Sequence, residues 1–159
     1  MSLLQVHVIV SLVGIASGVA VAYGLVAGRP LPAWTALFLA TTILTSATGF
    51  PLAPYGFDPP RALGIISLAL LAVATFALYG LRLAGPWRVI YVVTATAALY
   101  FNVFVGIVQA FGKLAPLQAL APTQTEAPFV VAQLVALVAF VAIGWRAATR
   151  FHPVSTATA

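Results

Sequence analysis

Very few side chains in this 159-residue sequence are carboxylates or imidazoles, the groups that most often move a proton or hold a metal. They are His7, His152, Asp58 and Glu126, and there is no cysteine. Without cysteine, disulfides, thiolate metal sites and cysteine nucleophiles are excluded. No HExxH, GxSxG or Walker sequence occurs, and the two carboxylates are not paired in sequence. Catalysis by two acids would require Asp58 and Glu126 to meet across separate loops, which their spacing does not predict.

What remains is a set of uncharged polar side chains inside apolar segments. At about 100° per residue, Tyr91, Ala95, Ala98, Asn102, Gly106, Gln109 and Lys113 fall on one stripe, while Leu99, Phe101, Phe104 and Phe111 point elsewhere. In hydrocarbon an amide without partners costs several kcal/mol, so Asn102 and Gln109 are both expected to face protein. Thr41, Thr45 and Thr48 share a face upstream, with Thr42 and Gly49 on its flank. Asn102 is expected to bond to Thr41 or Thr45. Back-bonding to carbonyls one turn earlier accounts equally well for each threonine taken alone. Ser11, Gly14 and Gly18 lie on one face of the first segment, and His7 projects onto it. Gly14 and Gly18 form a GxxxG pair that permits close helix crossing. The candidate binding face is therefore His7, Ser11, Thr41, Thr45, Thr48, Asn102, Gln109, Lys113 and Glu126, with Gly14, Gly18 and Gly106 as packing positions.

The elements that must position these residues follow from composition. Apolar residues make up 63% of the chain and charged residues 6%, against about 25% charged in a soluble domain. Such a chain cannot cover a water-facing surface, so an all-α integral membrane protein is expected. About 20 apolar residues cross the hydrocarbon core, and five segments qualify: roughly 4–27, 32–52, 63–83, 87–111 and 128–148. These form one five-helix transmembrane bundle over 1–151, followed by a disordered tail over 152–159. Gly28-Arg29-Pro30, the prolines at 51, 54, 59 and 60, and Gly85-Pro86 punctuate the gaps, and 112–127 is the longest connection. Ala20-Val21-Ala22 resembles a signal-peptidase site, but no basic residue precedes it, so the first helix is expected to stay.

Basic residues orient the bundle. Arg29, Arg82, Arg88, Arg146 and Arg150 lie at one end, and Arg61 and Lys113 at the other. The richer end is read as cytoplasmic, which puts the N-terminus outside and the C-terminus inside. Trp34, Trp87 and Trp145 fall at the same cytoplasmic ends, where indole favours the interface. The net charge of +5 comes from seven dispersed basic residues rather than a run, so nucleic acid is not a partner. In the outer loops, Thr123 or Thr125 is expected to cap the last helix, with Glu126 near its positive end, and Asp58 to pair with Arg61.

No charged residue lies deep within a span, which argues against an ion-coupled pump. His7 and His152 sit a membrane thickness apart, so a bis-histidine haem within one chain is excluded, and no other cofactor is identified. The chain lacks the embedded glutamate of small multidrug exporters and the Trp/Pro-rich loop motifs of tryptophan-rich sensory proteins, so no family is assigned. The leading reading is a non-enzymatic accessory or scaffold subunit of a bacterial inner membrane, packed in a homo-oligomer or a larger complex. The alternatives are a homo-oligomeric channel or carrier for a small neutral solute, and a membrane enzyme or lipophilic-cofactor binder using the outer polar face.

Overall fold

A computed structural model describes residues 2–52 and 59–153. Among these residues six α-helices form: α1 (Leu3–Val26), α2 (Pro32–Gly49), α3 (Pro59–Thr75), α4 (Trp87–Lys113), α5 (Ala115–Leu120) and α6 (Ala127–Arg150). A π-helical turn, Phe76–Gly80, extends α3. The long helices alternate in direction, and α1, α2, α3, α4 and α6 close a ring, with α1 also touching α4 across it.

Among the described residues, four stretches are long and apolar enough to cross a membrane: Leu3–Val26, Arg61–Gly80, Trp87–Lys113 and Ala127–Arg150. The expected second span differs from these four. As α2 it covers 18 residues, about 27 Å at 1.5 Å per residue, and six of its side chains carry hydroxyls. Four of the six turn inward, since Thr35, Thr41, Thr42 and Ser46 are all buried. The outward surfaces of the bundle are apolar. Along α6 only Ala147 is buried, while Val131, Leu134, Val135, Val138 and Val141 are exposed. This inversion of the soluble pattern is what a helix facing hydrocarbon requires.

Helix ends are closed by recognisable devices. Ser2 and Gln5 form a capping box at the start of α1. Gly28, at φ +69°, ends α1 in a left-handed turn, with Arg29 N donating to Gly24 O and Gly28 N to Leu25 O. Arg61 donates to the carbonyls of Phe50 and Leu52 beyond the end of α2. At the other end of the bundle, Arg88 Nη1 donates to Ala148 O and Phe151 O as α6 finishes.

Three local expectations are corrected. The 112–127 connection is not all loop, because Ala115–Leu120 forms α5 with Pro116 in its first turn, a position where proline's missing N–H costs nothing. The third span does not run helically to Leu83, because the π turn ends at Gly80 and Arg82 and Leu83 adopt positive φ. Neither Thr123 nor Thr125 caps α6. Glu126 occupies the N-cap position, and its side chain makes no cap hydrogen bond. Asp58, and the pairing with Arg61 expected of it, lie outside the described residues, as do residues 154–159 of the tail.

Candidate functional site

The polar seam is built where α1, α2 and α4 meet. α1 and α2 run antiparallel along their whole lengths. The His7 ring lies against Gly49, Gly18 against Phe38, and Gly24 against Leu31. Gly14 is the notch that brings in the third helix. A Cβ there would stand 3.3 Å from Thr42 Oγ1, 3.4 Å from Thr41 Oγ1 and 3.5 Å from Asn102 Nδ2. An alanine there would be tight only against Thr42, whereas a longer or branched residue would push α1 away from both neighbours. Gly106 is less confined, since its Cβ position lies 3.4 Å from the tip of Ile15.

Asn102 sits in this interior and donates from Nδ2 to Thr42 Oγ1 at 3.2 Å. Its partner is thus neither Thr41 nor Thr45. Thr41 donates to Leu37 O at 2.7 Å and occupies itself within its own helix. Thr45 Oγ1 is buried with no hydrogen-bond partner among the described residues. Neighbouring positions on a helix differ by about 100°, and the rotation of α2 presents Thr42, wholly buried, to α4.

Nearer the α1 N-terminus, His7 Nδ1 and Thr48 Oγ1 are 2.9 Å apart. The single Thr48 hydroxyl proton is directed at Leu44 O, 2.7 Å away. In that arrangement the Thr48 oxygen accepts from His7 Nδ1–H, whereas the other His7 tautomer would accept from the hydroxyl instead. Ser11 Oγ donates to His7 O at 2.7 Å. Gln133, on α6, donates to Phe104 O at 3.2 Å and joins α6 to α4.

The structure leaves the rest of the candidate face outside the seam. Gln109 is exposed rather than facing protein. It stands one turn from Lys113 at the end of α4, where interfacial water can satisfy an amide, so burial is not forced. Lys113 is exposed as well. The Glu126 carboxylate closes its own turn, accepting from Thr123 Oγ1 at 2.8 Å and from the amides of Thr123 and Thr125 at 3.2 and 3.1 Å. Desolvation opposes its ionisation, but these donors outweigh that effect and hold the carboxyl below its ordinary range.

No protein-family model, curated protein or solved structure matches the chain. Its function must be argued from geometry. In the seam, hydroxyls bond to helix carbonyls or meet the Asn102 amide and the His7 ring, the Thr45 hydroxyl excepted, and no carboxylate enters among the described residues. Among the described residues no three His, Cys, Asp or Glu side chains gather to hold a metal. The seam can therefore fix the register of three helices, and among the described residues no carboxylate joins the His7–Thr48 pair within it.

Sequence reasoning missed a second feature. At the end of the bundle that carries Arg29, Arg88 and Arg150 lies a cavity of about 130 Å³ lined largely by apolar side chains, with Thr35 and Tyr91 among its walls. The Pro30-Leu31-Pro32 turn at its rim was the available sequence signal.

The seam gives a direct test. Asn102→Ala is expected to cost only about 0.6 kcal/mol, the average of intramembrane side-chain hydrogen bonds. Asn102→Leu should cost more, about 1–3 kcal/mol, because branched bulk replaces a flat amide beside Gly14 and leaves Thr42 without its donor. Equilibrium unfolding in mixed detergent micelles measures both. Equal, negligible losses would mean that the face is not tightly packed.

Proposed function

We propose that the chain is a multi-pass cell-membrane protein of five crossings, most simply of a bacterial inner membrane, acting as a non-enzymatic accessory or scaffold subunit. It assembles with further copies of itself or within a larger membrane complex. The observation that carries this reading is the use of the polar residues. Asn102, Thr42, Thr41, His7 and Thr48 are bonded to other helices or to their own carbonyls, so the seam works as glue between helices. α2 counts as the fifth crossing because it stays level with α1 from Leu31 beside Gly24 to Gly49 beside His7.

The orientation rests on charge. Arg29, Arg82, Arg88, Arg146 and Arg150 gather at the end opposite Arg61 and Lys113, and that excess favours the cytoplasmic side. Reporter fusions after residue 159 and within α5 should report cytoplasm and exterior respectively. Equal reports from the two sites would overturn the topology, and a mature N-terminus at Tyr23 would remove the first crossing. For the role itself, purification in gentle detergent followed by native mass measurement should show copies of the chain or partner proteins bound. Robust solute flux by the pure protein in vesicles would overturn the scaffold reading in favour of a channel or carrier.

A further inference from the structure

We infer that the cavity at the arginine-rich end binds a small ring-shaped ligand bearing an oxygen, of the phenolic or quinoid class. The volume is about 130 Å³. An engineered cavity of about 150 Å³ takes up benzene, so this partly open space is large enough for one six-membered ring. A larger molecule can insert only such a ring.

The walls select the chemistry. Leu25, Leu31, Leu78 and Phe151 supply apolar surface, while Thr35, Tyr79 and Tyr91 bring the hydroxyls. Thr35 and Tyr91 are buried, and both line the cavity. A hydroxyl pair held inside apolar walls orients an occupant through one polar contact, the usual design of a small-molecule site. The end of an acyl chain would fill the space but set methylenes against those hydroxyls. A ring oxygen gives them a partner, which favours the ring.

The cavity is also shaped by unusual backbone. The π turn Phe76–Gly80 positions Leu78 and Tyr79, and Leu83 reaches the lining from a left-handed conformation at φ 59°. π turns and left-handed non-glycine residues persist where the surrounding structure enforces them, and they recur at functional sites. The α1–α2 turn forms another wall, and the segment after α6 forms the last through Phe151 and Pro153. Five separate parts of the chain thus converge on one small space.

The test uses the full-length protein in lipid nanodiscs, titrated with 4-fluorophenol and, separately, fluorobenzene, with fluorine NMR as readout and empty nanodiscs as the blank. 4-Fluorophenol should bind saturably, at least about tenfold more tightly than fluorobenzene. Tyr91→Phe, or Thr35→Val if that variant does not fold, should cut the difference to under about threefold. Leu31→Trp, or Leu78→Trp if the first is unstable, fills the cavity and should abolish saturable binding. Three outcomes would overturn the proposal: no saturation beyond the blank, equal affinity for the two probes, or unchanged binding in a folded, cavity-filled variant.

Discussion

Gly18→Val is expected to destabilise the bundle by about 3 kcal/mol or more, at or beyond the upper end of ordinary overpacking. A Cβ at position 18 would collide with the tip of Leu99 and stand 2.9 Å from two ring carbons of Phe38. Neither neighbour has room to retreat, because Leu99 is 2% exposed and Phe38 1%. The branched side chain would have to lever α1 away from α2 and α4 together, opening the contacts around Gly14 one turn along. Gly106→Ala is the control. Its Cβ meets only the flexible end of Ile15 at 3.4 Å, and alanine gains up to about 1 kcal/mol over glycine in a helix interior. That variant should stay within about 0.5 kcal/mol of the parent or rise slightly. The comparison also separates two meanings of the Gly14/Gly18 pair. If the pair joined two copies of the chain, Gly18→Val would yield a monomer of undiminished stability, and native mass measurement would reveal it. Loss of stability within the monomer is the result that the contacts with Phe38 and Leu99 require.

The legibility of this chain in its sequence follows the physics of its solvent. Hydrocarbon demands long apolar helices with internally bonded backbones, so four of the long helices are visible as apolar runs. α2 is marginal because it trades apolar surface for hydroxyls, and those hydroxyls are what its inner face needs. Asn102 is legible as an interior residue, since a mid-helix amide is costly anywhere else. Its partner is not. Thr41, Thr42 and Thr45 are separated only by the rotation of α2, which is set by the notch at Gly14 and by Phe38 seated on Gly18. Gln109 shows the limit of the same argument, because the penalty that drives an amide inward fades within a turn of the helix end. α5, the π turn and the cavity are illegible for a different reason. Each depends on where the chain is held by distant segments, and neither apolar length nor helical period encodes that. Glu126 falls between these cases. Its position at the start of α6 is readable, but its carboxylate serves the preceding turn, where a threonine hydroxyl and two amides are offered at once.

Arg88→Met is expected to release the end of α6 and the segment that follows it. The Arg88 guanidinium, at the start of α4, donates from Nη1 to Ala148 O at 2.8 Å and to Phe151 O at 2.6 Å. The last four carbonyls of a helix have no partner within it, and they form the negative end of its dipole. A half-buried cation here satisfies one such carbonyl and fixes the next turn of chain. Phe151, 3% exposed, then packs against Tyr91 with ring centroids 6.2 Å apart. Hydrogen bonds to charged groups contribute about 1.5–3 kcal/mol. Losing both while keeping an apolar stem of similar length should cost at least that much locally, which is roughly ten-fold or more in the opening equilibrium. The readout is trypsin cleavage after Arg150, because proteolysis follows local opening when closing is fast. The rate should rise by about that factor in Arg88→Met. It should rise less in Arg88→Lys, which keeps the charge but loses the planar fork of donors. Global unfolding should shift by a smaller amount, since the α1–α2–α4 seam lies elsewhere. Phe151 also walls the cavity, so 4-fluorophenol should slow the cleavage in the parent protein and lose that effect in Arg88→Met. Equal cleavage rates in parent and variant would mean that the two carbonyl contacts do not hold the end of α6. The C-terminal wall of the cavity would then have to be held by Phe151 against Tyr91 alone.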